Sequence, residues 1–156
     1  MNPNAAHEPI IKIENLYKKY GDNLVLDGFN LNLYQGENLV IMGKSGSGKS
    51  VMIKCLIGLE IPDSGSIEIM SQKLEHLSLK ALDEIRADIG FLFQGSALYD
   101  SMTVRENLEF PLRRHISKFG NVKDTLPLVE EALQNVGLKN VIDLMPNELS
   151  GGMKRR

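Results

Sequence analysis

The sequence predicts an α/β fold, and three patterns in its 156 residues carry that expectation. Phe29, Leu31 and Leu33 alternate with Asn30, Asn32 and Tyr34, the period of two expected of a half-exposed antiparallel strand. Leu39-Val40-Ile41-Met42 is an uninterrupted apolar run, as in a strand buried on both faces of a parallel sheet. From about residue 101 to 150 the period turns helical, with Leu126, Val129, Leu133 and Val136 on one stripe. An N-terminal antiparallel β part is thus expected within a core over residues 10–100, followed by a helical subdomain over 101–156.

Each element follows from local chemistry. Ser50 to Leu59 carries apolar residues at Val51, Met52, Ile53, Cys55, Leu56, Ile57 and Leu59, enough for a mostly buried helix. Pro62-Asp63-Ser64-Gly65 reads as a turn, and Ser66 to Met70 as the strand after it. Leu79, Leu82 and Ile85 recur at helical spacing, which places Asp83 and Glu84 on a solvated helix face. Ile89 to Phe93 reads as a short apolar strand ending at Gln94. Thr103-Val104-Arg105-Glu106 is a capping box that starts a helix. Pro111 is expected to end or kink that helix, and Pro146 to break the chain before Ser150, itself a strong helix cap.

Between the apolar run and its helix stand Gly43-Lys44-Ser45-Gly46-Ser47-Gly48-Lys49-Ser50, a complete G-x-x-x-x-G-K-[ST] phosphate loop. A strand that turns through glycines into a helix aims backbone N–H groups at one point beside the positive end of the helix dipole. Gly43, Gly46 and Gly48 are expected to take positive φ and to let an oxyanion approach without a Cβ in the way. Lys49 is placed to reach β- and γ-phosphates, and the Ser50 hydroxyl to ligate Mg²⁺. A glycine-rich connector that binds nothing would not need the lysine or the hydroxyl. The pattern is that of a nucleotide-phosphate site.

Composition narrows the partners. With 42% apolar residues the chain can bury a sizeable core, and a formal charge of −2 gives no electrostatic case for nucleic acid. Lys154-Arg155-Arg156 is too short a basic run to change that. The lone Cys55 suits a reducing compartment and excludes an intramolecular disulfide. Met1 to Pro9 has no signal-peptide core, and no apolar stretch approaches the ~20 residues of a membrane span.

Three further motifs join the loop. Leu149-Ser150-Gly151-Gly152 is followed by Met153-Lys154-Arg155-Arg156; Gln94 ends the Ile89–Phe93 run; and Tyr20 closes Leu16-Tyr17-Lys18-Lys19-Tyr20-Gly21. In this order the set resembles the ATP-binding cassette (ABC) family from end to end. The resemblance implies a P-loop NTPase-like ABC ATPase core of α/β class with a helical subdomain, all one partial domain over 1–156. It implies that Tyr20, rather than Tyr17, stacks on the adenine of ATP, and that Gln94 joins Ser50 on Mg²⁺ and senses the γ-phosphate. Ser150, Gly151 and Gly152 are then the LSGG signature, which contacts the γ-phosphate held by a second copy in a homodimer. Membrane permease subunits are implied as partners, with the chain peripheral on the cytoplasmic face of the inner membrane.

The family pattern also implies elements beyond Arg156: a Walker B strand ending in Asp-Glu, a D-loop and a switch histidine. Asp83-Glu84 and Val141-Ile142-Asp143 do not match the first, and His7, His76 and His115 all precede the signature. C-terminal strands are therefore expected to be missing from these residues, which read as part of a longer ATPase. A missing general base costs ~10²–10⁴ in rate, so ATP binding without efficient turnover is expected and no catalytic residue is assigned. The Phe93–Val104 segment, Asn107, Pro111-Leu112-Arg113 and Met153 resemble the ATPases of Mla/Mce-type lipid transporters, implying a phospholipid cargo. A soluble non-transport ABC ATPase and a non-catalytic ATP-binding module are the alternatives.

Overall fold

The computed structural model describes residues 8–93, 95, 97–114 and 124–156. The chain divides into two compact units, one ending at Gly90 and one starting at Phe91.

In the first unit, β1 (Ile11–Tyr20) and β2 (Asn23–Leu33) form a hairpin whose register runs from Tyr20 opposite Asn23 to Ile11 opposite Leu33. The other edge of β1 pairs antiparallel with β3 (Ser64–Ile69), and β3 with the short β4 (Gln72–Lys73), giving the order β2-β1-β3-β4. The alternation expected of β2 is present: Phe29, Leu31 and Leu33 are half-buried while Asn30, Asn32 and Tyr34 face solvent. In β1 the register slips at Asn15, whose φ is 47°, and the Asn30 side chain takes the Asn15 N–H at 2.9 Å. That bulge sends both Ile13 and Leu16 into the core despite their odd spacing.

Helix α1 (Lys49–Leu56) lays Met52 and Cys55 on this sheet, and α2 (Leu79–Arg86) adds Ile85. The expected helix to Leu59 stops at Leu56, because Gly58 (φ 67°) sets a Schellman motif. Leu59 N–H donates to Lys54 O at 2.8 Å and Gly58 N–H to Cys55 O at 2.9 Å. The Arg86 guanidinium then takes the Ile57 and Gly58 carbonyls at 2.9 and 2.7 Å, a cation placed on the negative end of α1.

Two expected strands do not form. Leu39–Met42 lies outside the sheet with Val40 76% and Met42 89% exposed, and Ile89–Phe93 is likewise irregular, with Leu92 exposed. An apolar run becomes a buried strand only when neighbours on both sides take its N–H and C=O groups. Among the described residues no strand pairs with either run, and every pairing in the sheet is antiparallel.

In the second unit, α3 (Val104–Arg114) opens with the expected capping box. Thr103 N–H donates to Glu106 Oε2 at 2.8 Å, and Glu106 N–H to Thr103 Oγ1 at 3.2 Å. Pro111 sits inside α3 rather than at its end, with Arg114 the last described residue of the helix. Helix α4 (Leu126–Asn135) buries Val129 and Leu133 against Val104, Leu138, Val141 and Leu149. The stripe's last member, Val136, falls just past the helix end. Glu109 is the one buried charged residue described: it accepts from Arg105 Nε at 2.8 Å, from Thr125 Oγ1 at 2.6 Å and from Arg113, tying α3 to the start of α4. The chain ends in α5 (Gly151–Arg155). No helix among the described residues is long and apolar enough to cross a membrane.

Candidate functional site

The Gly43–Ser50 segment turns at Ser45-Gly46 and enters α1 through Gly48, its N-cap at φ 85°. Gly46 and Gly48 take the positive φ expected of them; Gly43 does not, a correction to the sequence reading. At Gly43 a β-carbon would lie 2.6 Å from Ser47 Oγ, so that hydroxyl would have to swing away from its place in the loop. Gly48 is constrained twice, by its φ and by the sheet: a β-carbon there would meet Val25 O at 2.8 Å. Strand β2 thereby sets where α1 begins.

The side chain of Lys49 folds back over the loop. Its ammonium donates to Gly43 O at 2.8 Å, Lys44 O at 2.7 Å and Ser47 Oγ at 3.3 Å, so a full positive charge is held inside the turn. No carboxylate lies in the first turn of α1, and no side chain caps it among the described residues. The helix amides, the dipole and the ammonium thus act on the same space with the same sign. Ser50 is exposed on that first turn, a hard oxygen beside the anion site. Among the described residues no cluster of His, Cys, Asp and Glu could hold a metal by itself. Mg²⁺ keeps several waters and shares phosphate oxygens, so a single protein hydroxyl at an anion-attracting helix start would fit that ion.

Tyr20 ends β1 and is 45% exposed, with Lys18 Nζ 5.3 Å from its ring centroid. Partial desolvation and then the nearby Glu60 carboxylate hold its phenol above the ordinary pKa. Tyr17 instead lies along the hairpin, its hydroxyl against Gly28. Lys18 was not singled out in the sequence, although positions i and i+2 of a strand share a face and would have paired it with Tyr20. Arg86, the cap of α1, also went unnoticed, because nothing local to it announces a partner almost thirty positions away.

The Leu149–Gly152 turn belongs to the second unit. Buried Leu149 anchors it, Ser150 Oγ caps α5 by accepting Met153 N–H at 3.3 Å, and Gly151 and Gly152 are exposed. The short turn Pro146–Glu148 before it is closed by Met145 N–H donating to Glu148 Oε2 at 2.6 Å. Gln94 lies outside the described residues. Lys44, Ser45 and Ser47 stand exposed along the loop.

Known proteins share this arrangement. The chain is 37% identical over 150 residues to the intermembrane phospholipid transport system ATP-binding protein MlaF of Haemophilus influenzae, covering 96% of this chain and 56% of that protein. It is 38% identical over 155 residues to the methionine import ATP-binding protein MetN of Rhizobium etli, covering 99% and 42%. The chain spans about half the length of these curated relatives. Its fold matches the ATP-binding cassette MJ0796, solved as a dimer in a post-hydrolysis state bound to ADP and Pi, with a TM-score of 0.80 and 35% identity over 92% of this chain and 65% of that one. A family model described as ABC transporter matches residues 26–156, which take in both the lysine-filled loop and the Ser150 turn. By that match the chain belongs to the ABC transporter family.

Proposed function

We propose that this chain is the ATP-binding part of a transporter and that it holds Mg²⁺-ATP on the loop Gly43–Ser50. The observation that carries the proposal is the Lys49 ammonium, fixed by Gly43 O, Lys44 O and Ser47 Oγ at an uncapped helix start. Lys49 meets the β- and γ-phosphates, exchanging two neutral carbonyl partners for anionic oxygens. The amides of Gly43, Lys44, Ser45, Gly46, Ser47 and Gly48 line the phosphate chain, Ser47 N–H giving up its 3.2 Å bond to Lys44 O to do so, and the exposed part of the Tyr20 ring takes the adenine. Ser50 would hold Mg²⁺, with Gln94 added by the family resemblance, and the ion would neutralise phosphate charge when bound.

A second copy completes the site. Ser150, Gly151 and Gly152 of one protomer offer a capped helix start and two amides without Cβ atoms to the γ-phosphate held by the other. The dimeric cassette with ADP and Pi supports this reading. Permease subunits hold the pair on the cytoplasmic face of the inner membrane, where ATP binding and hydrolysis drive transport. The cargo is phospholipid, supported by the MlaF relative and by the Met153 ending of the signature; the methionine importer, at 38% identity, makes methionine the competing cargo.

Sedimentation tests the shared site. With Mg²⁺-ATP the protein should pass from monomer to dimer, and Lys49→Ala should stay monomeric under the same conditions. A monomer at saturating nucleotide, with permease present, would contradict the composite site. For cargo, reconstitution of the full-length subunit with the permease into vesicles should give ATP-dependent movement of labelled phospholipid and none of methionine.

A further inference from the structure

A lysine on a strand surface ordinarily sends its ammonium to water. Lys18 does not. Its side chain is 12% exposed, and Nζ is clamped by Ile61 O at 2.6 Å, Glu60 Oε1 at 3.2 Å and Asp63 Oδ1 at 3.7 Å. All three partners come from the segment that follows α1. Asp63 also takes the Lys19 N–H at 2.7 Å, so the strand and that segment are locked at two adjacent residues. The segment is in turn fixed to the end of α1, because the N–H groups of Leu59 and Glu60 both donate to Lys54 O.

The clamped ammonium lies 5.3 Å from the centroid of the Tyr20 ring, inside the range where a cation is attracted to the π face. Tyr20 itself remains 45% exposed, so the residue keeps surface open to a ligand with the ammonium beside its ring. A cation beneath an aromatic ring draws electron density toward itself, leaving the open face less repulsive to an electron-rich purine. The same clamp holds the cation in place before the ligand arrives, so binding does not bear the cost of ordering it.

We propose that Lys18 is a positioning residue for base recognition: held under Tyr20 by Glu60, Asp63 and Ile61, it orients and polarises the open face on which the nucleotide base stacks. The inference rests on the nucleotide reading given above and adds to it a residue that touches neither phosphate nor base. It also links the two ends of the ligand through one helix, since α1 begins at the phosphate loop and ends at the segment that grips Lys18.

The test is calorimetric titration of the chain with Mg²⁺-ATP and, separately, with Mg²⁺-tripolyphosphate, which has the phosphates but no base. Lys18→Met should weaken ATP about threefold to fivefold, the size of a partly desolvated cation–π contact, and leave tripolyphosphate unchanged. Lys18→Arg, which keeps both the ion pairs and the stacking cation, should restore ATP binding. Added to Tyr20→Ala, Lys18→Met should have no further effect. Equal weakening of both ligands, failure of the arginine to rescue, or a persisting effect in the Tyr20→Ala background would overturn the proposal. A silent Lys18→Met with wild-type binding intact sinks this inference alone, whereas a wild-type chain that binds neither ligand sinks the nucleotide reading with it. If Lys18→Met does not fold, Glu60→Gln carries the same arms, with a smaller loss again confined to ATP.

Discussion

Gly43 and Ser47 close the phosphate loop on itself, with 2.6 Å between the serine hydroxyl oxygen and the place a Gly43 β-carbon would occupy. Ser47 Oγ also accepts from the Lys49 ammonium, so a methyl group at residue 43 would disturb the lysine as well as the turn. Gly43→Ala should therefore weaken Mg²⁺-ATP on the order of tenfold or more, about 1.4 kcal/mol, while leaving the urea midpoint nearly unchanged. An alanine variant with wild-type affinity would show that the closure is not needed for binding.

Gly46 and Gly48 separate conformation from contact. Both have positive φ, but a β-carbon on Gly46 meets open space, whereas one on Gly48 meets Val25 O at 2.8 Å. Gly46→Ala should cost about 1–2 kcal/mol, the left-handed backbone term alone. Gly48→Ala should cost more, because β2 or α1 must also move. Urea unfolding of the two variants gives the comparison, and equal losses would contradict it.

Glu109 makes a pH prediction for the second unit. The Thr125 hydroxyl, then Arg105, and with them Arg113, hold its carboxyl down at about 2, against an ordinary value of 4.5. A carboxylate lowered on folding stabilises the fold at every pH above its unfolded value and loses that contribution as pH falls through the folded one. Stability of this unit should thus decline between about pH 5 and pH 2. Glu109→Gln should cost about 2 kcal/mol at neutral pH and flatten that decline. An unchanged acid profile in the variant would assign the loss to other groups.

Ser150 is both a cap and a member of the proposed shared site. Ser150→Ala should lower stability by about 1 kcal/mol through the lost Met153 N–H partner. Its effect on nucleotide-driven dimerisation should be much larger than on monomer binding of ATP. Ser150→Asp keeps a capping oxygen but adds a negative charge, so it should fold normally and still fail to dimerise.

Much of this was legible in the residues because it depends on neighbours close in sequence. The Thr103–Glu106 capping box and the alternation of β2 are local patterns, and both took the form their spacing implied; α2 forms as well, but of its apolar stripe Ile85 is buried while Leu79 is 82% exposed. Leu39–Met42 was misread because a buried strand is a property of its partners, and an apolar run does not carry them with it. Gly43 does not take the positive φ expected of it; its crowding by Ser47 is a three-dimensional fact that the sequence does not carry. Lys18 stands inside the Leu16–Gly21 motif, where only Tyr20 is given a role. Strand spacing places it on the face of Tyr20, and the return of Glu60, Ile61 and Asp63 to β1 is what clamps it there.

The most direct measurement is the heat of binding of Mg²⁺-ATP to the folded chain, compared with Lys49→Ala. The wild-type chain should give a saturable exothermic titration, and the variant, with the same unfolding midpoint, should give none. No heat from the wild type, or equal heat from both, would contradict a phosphate site built around the Lys49 ammonium.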